Sequence, residues 1–287
     1  MRNIIGRWGK NEYTIIKELG RGGFGRVYKV ADKNGREFAL KVSRDVQSIT
    51  REYNSMDNLK ELKFIPRVYE YDDFVYKGEI YHFILMEWIK GRNLKELCLK
   101  NQLNVRHIIK IGYNIIGKME RLKSLGYKYT DFKPENIIVD ENGKIYIIDF
   151  GGAVGVEYST KEYSPAYNII SWNKLSESYD HTMIFGISMI MISLIAKKEF
   201  NPLISNIDEI IGLLRKTNGD ENIIYVLSKG ISGKYNSSFK FKEDLRKLYY
   251  NQSTSFRLTF DRVEFVFVSS IIFFVLSIFL GFKYKLF

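Results

Sequence analysis

One cysteine, Cys98, among 287 residues closes no internal disulfide and fits a reducing compartment. Three histidines, His82, His107 and His181, stand far apart. With that lone thiol they offer no zinc spacing, so each is read as structural. There is no basic arm: the net charge of +11 is spread along the chain without a zinc-finger or RNA-binding signature. That argues against nucleic acid and leaves an anionic membrane surface or acidic ligands. The first residues, MRNIIGRWGK, lack the apolar centre of a signal peptide. Repeats and low-complexity tracts are missing too, and a hydrophobic content of 45% excludes a disordered chain.

What is present is enough chain for two lobes around a cleft. Residues 13–42 alternate in the strand manner, and Lys33-Asn34-Gly35 is a hairpin signal between the second and third runs. A helix is expected from about Gln47 to Leu62, with Ile49, Tyr53, Met56 and Leu59 on one face. Two more strands follow, near RVYEYDDF and YHFILM. Beyond Glu87–Gly91 the character turns helical. Met183–Ile195, a mostly apolar run of thirteen residues, is too short to span a bilayer and reads as a buried helix at the centre of the larger lobe. Phe265–Phe282 differs: eighteen residues without a charge, preceded by Arg262 and Glu264 and followed by Lys283 and Lys285. As a helix it would be about 27 Å long and apolar all round, which reads as a membrane anchor.

Two stretches carry chemistry. GRGGFGRV places glycines at 20, 22 and 25 ahead of a β-prone run rather than a helix. The glycines then join two antiparallel strands, a flap whose backbone N–H groups can approach phosphates, with Val27 roofing an adenine. Lys41 in FALKV, with Ala39 two positions earlier, would hold the phosphates. It needs an anionic partner: Glu52 is the first candidate and Asp45 the competitor. In YTDFKPENIIVD, Pro134 forbids a helix, so Asp131, Lys133 and Asn136 sit on a short rigid loop.

Together with Asp149 in IIDFGG, these motifs fall in an order that resembles the protein kinase superfamily, in the Ser/Thr form common in bacteria, over residues 13–250. The resemblance implies an α+β, bilobal fold: a small antiparallel β lobe with one main helix, and a larger helical lobe. It implies ATP and Mg²⁺, with Mn²⁺ as a substitute, and a protein Ser/Thr hydroxyl as acceptor. Asp131 would take the hydroxyl proton, and Lys133 would neutralise the γ-phosphate. Asn136 and Asp149 would supply metal oxygens. The nucleotide would meet Leu19, Gly20, Gly22, Gly25, Val27, Ala39, Lys41, Glu52, Met86, Glu87, Trp88 and Ile138. Met86 would gate the pocket behind adenine, and backbone groups of Glu87–Ile89 would face its edge. Thr160 would hydrogen-bond Asp131 and Lys133.

The family pattern is broken in places. Tyr129-Thr130 stands where His-Arg is usual, with Tyr129 expected to pack beneath Phe150. Only eight residues separate Gly151 from Thr160, so competence is not expected to depend on loop phosphorylation. Ala166-Tyr167 replaces a Pro-Glu whose ion-pair partner would correspond to Lys234. His181 falls where an Asp, one step away at Asp180, would support the loop. A pseudokinase-type ATP-binding scaffold and a small-molecule phosphotransferase are the alternative functions. The expected plan is a lead (1–12), two lobes (13–87 and 88–250), a linker (251–262), a transmembrane helix (263–282) and a short tail (283–287). The protein would be single-pass in the cell membrane with cytoplasmic lobes, resembling a tail-anchored protein.

Overall fold

The computed structural model of the chain describes residues 3–23, 25–155, 163–174, 178–218 and 220–254. It divides into two units, 1–249 and 250–287. Of the second, residues 250–254 are described, as the end of the last helix. The expected anchor, 263–282, lies outside the described residues, as does Thr160.

The first lobe is a sheet with one helix. Strands β1 (Asn3–Ile5), β2 (Glu12–Gly22), β3 (Gly25–Asp32) and β4 (Glu37–Ser43) precede helix α1 (Val46–Asn58). Strands β5 (Val68–Tyr76) and β6 (Glu79–Glu87) follow it. All pair antiparallel in the order β1-β2-β3-β4-β6-β5. The expected β3–β4 hairpin closes where Gly35 takes φ +77 and Asp32 accepts its N–H at 3.0 Å.

Strand β1 lies in the stretch expected to be a lead, and the chain after it straps the sheet. Arg7 N donates to the Asp73 carbonyl (2.7 Å) and Gly9 N to the Asp72 carboxylate (2.8 Å), so this segment joins β1's edge to β5's edge. Asp72, only 4% exposed, is thereby satisfied. Helix α1 stops at Asn58, short of the expected Leu62, because the backbone tightens into turns from Met56 to Leu62. Its buried face still carries Ile49, Met56 and, just past its end, Leu59.

The second lobe begins with β7 (Gly91–Asn93), α2 (Leu94–Leu99) and α3 (Val105–Ser124). Short strands β8 (Tyr127–Tyr129), β9 (Ile137–Asp140), β10 (Ile145–Ile147) and β11 (Ala153–Gly155) come next. Helices α4 (Tyr179–Ala196), α5 (Ile207–Asn218), α6 (Glu221–Ile231) and α7 (Ser238–Thr254) complete it. Every residue of α4 from Met183 to Leu194 is buried. Among the described residues α4 is the one helix long and apolar enough to cross a membrane, yet two thirds of it is enclosed by protein, so here it is the core's axis. The histidines work locally: His82 Nδ1 meets Asp73 at 2.6 Å, and His107 closes the capping box of α3 with Asn104.

Candidate active site

Strand alternation aims the first charged group. Leu40 and Val42 enter the small core of the sheet, while Ala39 belongs to the main core facing α1, and Lys41 shares that face. Lys41 Nζ there reaches Glu52 Oε2 at 2.5 Å and Asp149 Oδ1 at 3.3 Å. Asp45 is not its partner. Its carboxylate caps α1, accepting from the N–H groups of Gln47 and Ser48. Burial works against the Lys41 charge, but Glu52 and Asp149 outweigh it and raise the ammonium's pKa. Burial also opposes the Asp149 charge, and Lys41 and the Gly151 amide prevail to lower its pKa. On Glu52 burial wins and raises the pKa against the pull of Lys41. Lysine and carboxyl are therefore driven in opposite senses. Their 2.5 Å contact, backed by a second carboxylate on the lysine, favours the ionised pair.

Above Lys41 lies the flap between β2 and β3. Gly25 has φ +150, and a Cβ there would run into the Val42 carbonyl oxygen, so the turn requires glycine. Gly20 and Gly22 face open space, with nothing within 4 Å of where a Cβ would sit. Among the described residues no neighbour demands glycine there, and the bare backbone leaves room for an anionic ligand.

The adenine-side residues gather at the joint between lobes. Val27 pairs with Lys41 across β3–β4, and Ala39 pairs with Met86 across β4–β6; Ala39 and Met86 are buried. The β7–β9 ladder puts Ile138 opposite Asn93 and against Gly91. Leu19 is 40% exposed on β2, as suits a group awaiting a ligand. Trp88 carries the Lys29 ammonium 3.5 Å above its ring. The Glu87 N–H is taken up by the Arg67 carbonyl at 2.8 Å, so it is not a group for the ligand's edge.

Across the cleft, a single turn of 3₁₀ helix at Pro134–Asn136 shapes the loop. Asp131, 7% exposed, is held on both oxygens. Oδ1 accepts from Ser164 Oγ at 2.8 Å; Oδ2 accepts from Lys133 Nζ at 2.5 Å and Asn136 Nδ2 at 2.8 Å. Asn136 Nδ2 also turns to the Asp131 carbonyl and the Tyr129 hydroxyl, which leaves the amide oxygen as the atom it can offer a cation. Ile148 N donates to the Asn136 carbonyl, tying Asp149's segment to the loop. Among the described residues no group of three or more His, Cys, Asp or Glu could cage a metal. The donors that do occur, one amide oxygen and one carboxylate, fit a Mg²⁺ completed by phosphate oxygens.

The supports beneath the loop differ from those expected. Tyr129 packs on Phe150 with ring centroids 5.9 Å apart, as anticipated, and on Phe132 at 5.3 Å. Thr130 Oγ1 donates to the Gly152 carbonyl at 3.2 Å. Asp180 is engaged away from the loop, pairing with Lys123 at 2.7 Å and accepting the Ser238 N–H at 3.2 Å. The support is Tyr179, whose hydroxyl accepts from Tyr129 N (2.7 Å) and donates to the Tyr129 carbonyl (3.1 Å). Nothing in the sequence marked it, since a tyrosine opening an apolar helix reads as packing. The described hydroxyl on Asp131 is Ser164's, four residues beyond Thr160. Ala166 and Tyr167 are buried, but Lys234 is exposed and is no counterpart of a buried cation; its neighbour Tyr235 is the buried one, donating to Asp244 at 3.0 Å.

A family profile described as a protein kinase domain matches residues 13–257. Similar proteins include the serine/threonine-protein kinase YabT of Bacillus subtilis (strain 168), 30% identical over 252 residues covering 84% of this chain and 73% of the relative. The cAMP-dependent protein kinase type 3 of Saccharomyces cerevisiae (strain ATCC 204508 / S288c) is 30% identical over 161 residues, 53% of this chain and 39% of the relative. A Lactococcus lactis protein, "Probable serine/threonine-protein kinase PknB", is 33% identical over 155 residues, 51% of this chain and 24% of the relative. The chain thus spans most of the first relative and less than half of the other two.

Proposed function

This chain belongs to the protein kinase family, and from that premise we propose a membrane-anchored serine/threonine kinase that moves the γ-phosphoryl group of ATP to a protein hydroxyl. The observation that carries the activity is Asp131, fixed on both oxygens beside Lys133 and Asn136, across the cleft from the Lys41–Glu52–Asp149 cluster. The family uses ATP and Mg²⁺.

Each residue has a physical task. Lys41, oriented by Glu52, holds the α- and β-phosphates under the glycine flap. Val27, Ala39, Met86 and Ile138 sandwich the adenine. Asp131 orients the attacking hydroxyl and accepts its proton, and Lys133 faces the γ-phosphate. Asn136 and Asp149 would hold Mg²⁺, which when bound would neutralise charge on the phosphate oxygens. Most of the catalysis is positioning and charge stabilisation. Lysine two residues after the aspartate supports Ser/Thr specificity, as do the names of the relatives.

The anchor rests on the uncharged run 265–282 and its charged flanks. The purified full chain in detergent, given Mg²⁺, labelled ATP and a basic protein, should form phosphoserine or phosphothreonine. Asp131→Ala should lower the rate by about 10²- to 10⁴-fold. ATP binding without any transfer would sink the catalytic reading in favour of a scaffold. Removing residues 263–287 should release the protein from sedimenting membranes.

A further inference from the structure

Helix α4 is buried at every position from Met183 to Leu194, and its first turn is hydrogen-bonded to the entry of the catalytic loop through the Tyr179 side chain. The Tyr179 hydroxyl serves both backbone groups of Tyr129, accepting from its N–H at 2.7 Å and donating to its carbonyl at 3.1 Å. A carboxylate could only accept, and would leave the carbonyl without a donor. A neutral hydroxyl satisfies both. Burial raises the pKa of Tyr179 and of Tyr129 and keeps both protons in place.

Tyr129 passes the constraint on. Its ring is wedged between Phe132 and Phe150, and its hydroxyl donates to the Asp131 carbonyl at 3.1 Å while accepting from Asn136 Nδ2 at 3.2 Å. The same Asn136 nitrogen donates to Asp131 Oδ2 at 2.8 Å. An unbroken series of contacts therefore runs from α4 through two tyrosines to the acceptor oxygen of Asp131 and to the amide that would meet the metal. Lys41, Glu52 and the flap lie outside it.

We propose that Tyr179 and Tyr129 are positioning residues for phosphoryl transfer: the first fixes the backbone of the second, and the second orients Asp131 and Asn136. The inference rests on the kinase reading above. It predicts a split between chemistry and nucleotide binding that mere filling of the core would not produce. In the full chain, Tyr179→Phe should lower kcat by about 10- to 100-fold, the usual cost of losing an outer-shell partner, with the KM for ATP little changed. Tyr129→Phe should lower kcat and also raise the Mg²⁺ concentration for half-maximal rate by about tenfold, excess Mg²⁺ recovering part of the rate. The double variant should fall well short of the product of the two single losses and stay close to the more impaired single variant, because both act through one series of contacts.

Measuring kcat, KM for ATP, Mg²⁺ dependence and melting temperature on the same preparations decides the matter. An active wild type with unaltered kcat in both folded variants overturns the inference alone. Variants that melt earlier but keep kcat and Mg²⁺ dependence do so as well, since the hydroxyls would then be purely structural. A wild type without Asp131-dependent transfer overturns the kinase reading and this inference together. Should Tyr179→Phe not fold, Tyr129→Phe carries the decision, because phenylalanine keeps both aromatic contacts.

Discussion

The two sides of the cleft hold their reactive groups by different means. On the flap side, Lys41, Glu52 and Asp149 form a charged cluster with contacts of 2.5 and 3.3 Å in buried surroundings. On the loop side, Asp131 has one cation, Lys133, and is otherwise steadied by neutral groups: Ser164, Asn136 and the tyrosines beneath. A charged cluster is strong but sensitive, because each member needs the others ionised. A hydroxyl-and-amide network is weaker per bond, yet indifferent to pH across the range where the enzyme works. Supports of the second kind can be exchanged for other residues with matching donors and acceptors, and Tyr129 and Thr130, where the family pattern is broken, belong to them.

The comparison breaks first at Lys41. Lys41→Met removes the only cation touching Glu52 among the described ion pairs and leaves a buried carboxyl beside Asp149. Phosphoryl transfer should fall by about 10²- to 10³-fold through lost charge stabilisation, with weaker ATP binding as well. Steady-state rates and equilibrium nucleotide binding would check both. Retained ATP affinity would mean that the flap side does not depend on its charges in the way argued.

That side was also the more legible in the sequence. Lys41 follows the glycines at a fixed distance on an alternating strand, and Glu52 falls on the same helix face as Ile49, Met56 and Leu59, so short-range periodicity places both. Asp131, Lys133 and Asn136 are neighbours on one Pro-fixed loop and travel together. The supports are another matter. Tyr129 and Tyr179 are fifty positions apart, and a hydroxyl reaching backbone cannot be told from an aromatic in a core. Ser164 follows the short loop like several other hydroxyls, and only the path of the chain brings it to Asp131. Strand β1 is three residues long, too brief for its period to show, and exists because the sheet offers it an edge.

Ser164 gives a smaller test on the neutral side. Its bond to Asp131 is charge-assisted and worth about 1.5 kcal/mol, so Ser164→Ala should cost about tenfold in kcat. Ser164→Thr keeps the hydroxyl and should restore most of the rate. If alanine and threonine behave alike, the hydroxyl is not what steadies Asp131.

The finest distinction is pH. Burial pushes the Glu52 carboxyl up to about 7, while Lys41 holds it down. Only the carboxylate can orient Lys41, so activity should decline as pH falls through that value. With a single proton involved, the rate at limiting ATP should be on the order of fourfold lower at about pH 6.5 than at about pH 8. The sign for stability is opposite. A carboxyl whose folded pKa lies above its ordinary value favours folding most when protonated, so its contribution is full below the ordinary carboxyl range and is lost as pH rises through about 7. Activity and melting temperature should therefore move in contrary directions across this window. Glu52→Gln should flatten both trends, because glutamine does not titrate, whereas Tyr179→Phe should leave them in place, because the tyrosine network carries no charge there to lose. A pH profile that Glu52→Gln left unaltered would assign the titration to another group and remove the contrast between the charged and neutral sides.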